Sequence, residues 1–289
     1  MTSSLPISFL SDFGHEDEFV GVVHGVIAKI APDATVIDIG HDFPRGDVQA
    51  ASLALLRAIQ YLPNGVALAV VDPGVGTERA AIAARTPWGF FVGPDNGVLA
   101  AAVAMTGSAD LIVSIENPEY RLPAEGETFH GRDIFAPAAA VLASGEAEIG
   151  DLGSEVDPRT VVPMMLPLVE EDRFGGVNGE VLWVDHFGNA QTNVTPDDLS
   201  SVGFEPRADV TALIAGVEHR MPWVEAYAHV PSGEAMVHVD SYGQIAIAVR
   251  DGRADERFSL AAGVALSFKR PGNGDALTVV SDDDDLAQE

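Results

Sequence analysis

The chain has 289 residues, enough for one large or two ordinary domains, and sets 44 acidic side chains against 16 basic ones for a formal charge of −28. A field of that sign repels nucleic-acid phosphates and so argues against a nucleic-acid partner. The absence of cysteine excludes disulfides, thiolate catalysis and thiolate metal sites.

No apolar run approaches the ~20 residues that cross a bilayer, so no membrane partner is expected. The opening MTSSLPISFLSDFG lacks a basic segment followed by a long apolar stretch, so a cytoplasmic protein is expected. Only two of the basic residues are lysines, Lys29 and Lys269. Such a surface suits an ordinary acidic soluble protein or, given the lysine poverty, a halophilic one. In a salt-loaded cytoplasm screening makes self-repulsion tolerable.

Residues 5–10 read as a strand ending at Asp12 in an SDFG turn. Residues 18–31 carry Phe19, Val22, Val23, Val26, Ile27 and Ile30 at a helical period. A strand is predicted at 35–39 and an Ala/Leu-rich helix at 47–62 with Asp47 as its N-cap. Strand patterns recur at 66–71, 80–84, 89–92 and 111–115, with helices at 96–105 and 132–143. This alternation predicts a layered, Rossmann-like α/β domain over 1–156. The stretch 157–174, with three prolines and no clear period, reads as a linker. Short strands then dominate at 179–184, 209–215, 235–239, 244–249 and 264–269, which predicts a small all-β barrel over 175–280. Residues 281–289, SDDDDLAQE, read as a solvated acidic tail.

The most informative segment is DPGVGTER, residues 72–79, directly after the apolar run 66–71. An acid at the carboxyl end of a buried strand, followed by a Gly/Pro-rich turn, lies where open α/β sheets hold their ligands. Gly74 and Gly76 let the turn double back and carry Arg79 towards Asp72. His130, at the head of a small-residue helix, can complete a carboxylate, guanidinium and imidazole group, or simply cap that helix beside a structural ion pair. Asp12 fits a turn cap or a carboxylate accepting both hydroxyls of a ribose. In the second half, DHFGN at 185–189 fits an Asx-type turn. Tyr227 suits a base-stacking role or the core, and the Pro94–Gly97 run reads as structural. HEDEF at 15–19 lacks the second histidine of a zinc helix, so no metal is expected, and no phosphate loop or nucleophile elbow occurs.

Six segments in order resemble the S-adenosyl-L-methionine hydroxide adenosyltransferases, relatives of the fluorinase and chlorinase enzymes. They are SDFGHEDEFVG (11–21), VVDPGVGTER (70–79), FVGPDNGVL (91–99), FHGRDIFAP (129–137), VDHFGNAQTNV (184–194) and DSYGQIAIAV (240–249). The resemblance implies an N-terminal α/β domain and a C-terminal β-barrel. It also implies cofactor-independent hydrolysis of S-adenosylmethionine to adenosine and L-methionine. It gives water activation to Asp72, Arg79 and His130, and ribose binding to Asp12. It further gives the methionine amino group to Asp185, ligand cover to Phe187, adenine binding to Asn189 and a methionine-end contact to Ser241. Halogenating relatives carry Arg after that serine, where this chain has Tyr242, and lack an acid at the position of Asp72. A homotrimer with sites shared between subunits is implied as well. Three rivals remain: a halide-using adenosyltransferase on the same scaffold, a metal-dependent hydrolase using the His15 and His41 regions, and a non-catalytic adenosine or S-adenosylmethionine sensor.

Overall fold

The computed structural model describes residues 4–173 and 175–269. The tail expected at 281–289 and residues 270–280 of the expected barrel lie outside the described residues. Two compact units, Met1–Met165 and Leu166–Glu289, divide the chain.

In the first unit the strands β1 (Ile7–Ser11), β2 (Val36–Gly40), β3 (Val66–Val70), β4 (Ala81–Thr86), β5 (Gly89–Pro94) and β6 (Leu111–Ser114) form one sheet in the order β2-β1-β3-β5-β4-β6. Strands β2, β1, β3 and β5 are mutually parallel, and β4 runs antiparallel to both its neighbours. Helices α1 (Phe19–Ile30) and α4 (Ala136–Ser144) cover one face; α2 (Val48–Ile59) and α3 (Ala100–Met105) cover the other. β3 shows why the sheet is buried on both sides. Val66, Leu68 and Val70 join the core with Val23 and Ile27 of α1, whereas Ala67 and Ala69 face Leu55 and Ile59 of α2. Every residue of Ala136–Ala143 is buried, so α4 has no polar side to show solvent. Asp47 caps α2 as expected, its carboxylate accepting from Ala50 N–H at 2.9 Å.

Chain order places the site. β1 passes through α1 to β2 on one side, and β2 passes through α2 back across β1 to β3. The strand order therefore reverses between β1 and β3, which opens a crevice at their carboxyl ends. Asp12 and Asp72 follow those two ends.

Two helices differ from expectation. The helix predicted from residue 96 begins at Ala100, because Asn96 is spent on a turn: its Nδ2 donates to Val71 O at 2.8 Å and its Oδ1 accepts Val98 N–H at 3.2 Å. The helix predicted over 132–143 is a π-helical turn, Gly131–Phe135, running into α4. Ala136 N–H reaches back five residues to Gly131 O. Pro137 has no N–H for Asp133 O, which instead accepts Leu122 N–H at 2.8 Å.

The described residues of the second unit form an antiparallel, nearly closed barrel-like sheet with two short α-helices. Its strands are β7 (Glu170–Glu171), β8 (Val177–Val184), β9 (Ala190–Thr192), β10 (Asp209–Ile214), β11 (Val217–Pro222), β12 (Ala235–Val239), β13 (Ile245–Val249) and β14 (Ala265–Lys269). Their order is β11-β10-β14-β8-β9-β13-β12, with β7 beside β8, and a bridge between Trp223 and Val237 nearly closes the ring. Helices α5 (Pro196–Ser201) and α6 (Ala254–Phe258), and strands β7, β9 and β11, were not foreseen, β7 lying inside the stretch expected as a linker. The signal for α5 was present in TPDD, where Thr195 and Asp198 form a reciprocal capping box. β11 has no such signal, because Val217, Glu218 and Arg220 are exposed and hide the alternation.

Candidate active site

Three predicted residues meet in the first unit. The turn after β3 closes through Val75 N–H to Asp72 O at 3.2 Å and through Thr77, whose N–H and hydroxyl both donate to Gly74 O at 3.1 and 2.7 Å. Gly76 needs its freedom, with φ at +76° and a Cβ position only 3.1 Å from Glu127 O. Gly74 does not: it is absent from the positive-φ glycines, which corrects the expectation that both were required. The reversal returns Arg79 to Asp72. Its Nε donates to Oδ1 at 3.0 Å and its Nη2 to Oδ2, a fork on the carboxylate. Nη2 also donates to His130 Nδ1 at 3.0 Å, and the guanidinium carbon lies 5.3 Å from the Phe135 ring centre. The Arg79 and Asp72 side chains are 9% and 6% exposed, so water screens this group little.

The hub decides the chemistry of its neighbours. A guanidinium only donates, so His130 Nδ1 accepts and the neutral ring carries its proton on Nε2. Burial first, then the Arg79 charge, holds His130 below its ordinary value, with Asp72 pulling the other way. Towards a ligand, His130 thus offers a neutral donor at Nε2 and Asp72 an acceptor. Arg79 and His130 border an open cavity of about 410 Å³ that Arg121 and Glu127 also line.

Asp12 is tied by one oxygen, Oδ2, which accepts Gly46 N–H at 2.7 Å. Its Oδ1 has no partner among the described residues, which leaves it acceptor capacity. The turn that carries Asp12 packs against the His130 turn through Phe13. A Cβ on Gly131 would lie 2.8 Å from Phe13 Cζ, so glycine allows the approach. Phe13, Phe19 and Phe129 complete an aromatic triangle with ring centres 5.0 to 6.0 Å apart.

The remaining predicted residues lie in the second unit. Asp185 organises the β8–β9 turn: Oδ1 accepts Phe187 N–H and Asn189 N–H at 2.9 and 2.8 Å, and Oδ2 accepts Asn189 Nδ2 at 2.8 Å. Three local donors leave this carboxylate little capacity for a ligand. The turn holds Phe187 out at 73% exposure. Asn189 Nδ2 also reaches the Tyr227 hydroxyl at 3.3 Å, which leaves its Oδ1 as the acceptor for a ligand. Tyr227 is 46% exposed and packs its ring 5.1 Å from His238, so it belongs to this surface group rather than to the core. Burial, then Asp185 and Asp240, raises the Tyr227 pKa. Ser241 is exposed in the β12–β13 turn, whose shape comes from Asp240 Oδ1 accepting Tyr242 and Gln244 N–H at 2.8 and 3.0 Å.

The His15 and His41 regions pair with Asp42 and Ser11 respectively. Among the described residues no group of three or more histidines and carboxylates is arranged to hold a metal ion. Sequence reasoning missed Ser11 and named His41 only for a metal-dependent rival, their signal being a polar pair at two strand ends; Asn96, read as part of a structural turn, anchors the end of β3 beside Asp72.

Comparison with known proteins agrees with the six motifs. Family models described as the SAM hydroxide adenosyltransferase N-terminal and C-terminal domains match residues 7–153 and 179–267. A protein of Salinispora arenicola named (R)-S-adenosyl-L-methionine hydrolase is 44% identical over 92% of this chain and 98% of its own length. A more distant relative, a fluorinase of an Actinoplanes species, is 26% identical over 91% and 97%. The crystal structure of an uncharacterized conserved protein from Thermotoga maritima superposes with a TM-score of 0.84 at 36% identity, covering 91% of this chain and all of that one.

Proposed function

The chain belongs to the SAM hydroxide adenosyltransferase family, and we propose that it is an enzyme that hydrolyses S-adenosyl-L-methionine to adenosine and L-methionine. The name of the Salinispora relative specifies (R)-S-adenosyl-L-methionine, and we assign that form of the substrate to this chain. The observation that carries the reading is the Arg79-centred trio with Asp72, beside Asp12 at the strand-order reversal.

The chemistry asks for little beyond placement. A water oxygen attacks ribose C5′, the C5′–S bond breaks, and its electron pair returns to sulfur, leaving the neutral thioether of methionine. No acid is needed for that departure. The oxygen bears a positive charge as the new bond forms and becomes strongly acidic, so a weak base suffices. The Asp72 carboxylate takes that proton and passes it to solvent. Arg79 holds Asp72 and His130 in fixed relation, and His130 donates from Nε2. Holding a water in line with C5′ contributes several kcal/mol, within the ~7–11 kcal/mol available to full preorganisation. In the substrate-binding roles, Asp12 takes the ribose hydroxyls, Asn189 the adenine, and Phe187 covers the ligand. Asp185 and Ser241 address the methionine end, Asp185 with the single acceptor position its local bonds leave.

We further propose a homotrimer with sites shared between subunits, supported by the family resemblance and by the division of the motifs between the two units. The charge of −28 supports a salt-rich cytoplasm as its setting, and the three prolines at 158, 163 and 167 support a linker over 157–174. Incubating the purified protein with S-adenosylmethionine, without added metal or nucleotide, and chromatographing the nucleosides tests the function. Adenosine above the spontaneous background is expected. Its absence at both high and low salt would leave the sensor reading in place of the enzyme.

A further inference from the structure

We propose that His41 is a positioning residue for the substrate's ribose, acting through Ser11 on the Asp12 turn; this rests on Asp12 being the ribose carboxylate. Ser11 ends β1 and His41 follows β2, and both are buried. The Ser11 Oγ to His41 Nδ1 distance is 2.7 Å. His41 Nε2 stands 3.1 Å from Asp38 Oδ1, too bent for a well-aligned bond but facing an atom that can only accept. The ring proton therefore sits on Nε2, and Nδ1 accepts the Ser11 hydroxyl. Burial holds His41 below its ordinary value, against the pull of Asp38, which keeps the ring neutral and Nδ1 an acceptor. Ser11 Oγ in turn accepts Phe13 N–H at 3.4 Å.

The same two segments meet twice more. Gly14 N–H donates to His41 O at 2.8 Å, and Gly46 N–H donates to Asp12 Oδ2 at 2.7 Å. Residues 11–14 are thus clamped to residues 41–46 on both sides of Asp12, with the clamp's inner end at the Ser11–His41 bond. A hydrolytic Ser-His-Asp role does not fit these side chains, because Ser11 is wholly buried and a nucleophile must be reachable. Their effect is to fix the direction in which Asp12 Oδ1 faces, and a carboxylate held in place binds a diol without first losing freedom.

Three variants separate this from a merely structural role. His41→Gln keeps a donor towards Asp38 and loses the Nδ1 acceptor; Ser11→Ala loses the hydroxyl; His41→Asn keeps an acceptor near Nδ1. Adenosine binding by calorimetry and S-adenosylmethionine turnover are measured on the full-length protein. The first two variants are expected to weaken adenosine binding and raise KM about tenfold, ~1.4 kcal/mol, with kcat within about twofold of wild type. His41→Asn is expected to stay near wild type. A loss of folded protein would lower apparent kcat and leave KM unchanged. In an Asp12→Ala background, His41→Gln is expected to add nothing. His41→Gln binding adenosine as wild type does, or His41→Asn weakening as much as His41→Gln, would overturn the proposal. If Ser11→Ala does not fold, the His41 pair decides. A wild type that neither binds adenosine nor turns over substrate would instead overturn the functional reading.

Discussion

Arg79→Met strikes the hub of the proposed reaction centre while keeping an aliphatic side chain against Phe135. It removes the fork on Asp72 and the bond to His130. Asp72, with its side chain 6% exposed, loses its counter-ion. Removing one partner of a buried ion pair costs about 3–5 kcal/mol. At roughly 2–4 °C per kcal/mol for a unit of this size, its melting transition should fall by about 6–20 °C in calorimetry. Adding Asp72→Asn should recover at least half of that fall, because it removes the stranded charge. His130 should respond too. Burial and the Arg79 charge lower its pKa, so losing the guanidinium moves it back up, as read from its C2 proton by NMR. kcat should drop about 10²–10³-fold, the usual cost of losing one preorganised electrostatic group. A variant that melts within 2 °C of wild type and keeps its kcat would refute the assignment of Arg79 as organiser.

Asp72→Ala should lose turnover while adenosine binding persists, since the proposed contacts from Asp12 and the second unit are untouched; retained turnover would displace Asp72 from the chemistry. In concentrated chloride the wild type should give adenosine and no 5′-chloro-5′-deoxyadenosine by mass spectrometry, because the Asp72 carboxylate repels an anion, and Asp72→Gly should yield traces of the chlorinated product. Light scattering at high salt should give three times the 30.3 kDa chain mass, and a mixture of inactive Asp72→Ala and Asn189→Ala proteins should regain activity as subunits exchange; a monomer refutes shared sites. Stability should fall as pH drops below about 6.5. Burial lowers His41, His130 and His238, so below that pH the unfolded chain binds more protons than the folded one, and the three contributions, full above it, are lost on acidification. Urea midpoints that are unchanged from pH 7 to pH 5 would contradict this.

The layer order and the reacting groups were legible because their causes are local. The run 66–71 has no polar residue, is short and is followed by Pro and Gly, which suits a strand buried on both faces, and a chain leaving it through DPGVG turns where the sheet ends. Asp47, three residues before the amide it caps, announces a helix start in the same way. Where sequence reasoning failed, a distant partner had overridden a local preference. The helix expected from residue 96 starts late because Asn96 bonds to Val71, 25 positions earlier. The π-helical turn below His130 runs into Pro137, which has no N–H for Asp133 O, and Leu122, 11 positions before Asp133, supplies the donor instead. β11 reads as loop because Val217 and Glu218, on opposite faces, are both exposed and break the alternation.

The site divides along the same line. Residue identities alone determined that Asp72 and Arg79 would meet, since seven positions and a reversing glycine turn leave them within reach of each other. They also determined that the 185–189 turn would be built on an aspartate. Only the tertiary structure decided that Arg79 bonds His130 across 51 positions and so sets its tautomer. It likewise decided that Asp185 is largely consumed by its own turn, that Tyr227 stands on the surface beside Asn189, and that Ser11 and His41 clamp the turn bearing Asp12. A hydrogen bond between distant segments depends on the whole sheet bringing two strand ends to one edge, and no window of sequence contains that distance.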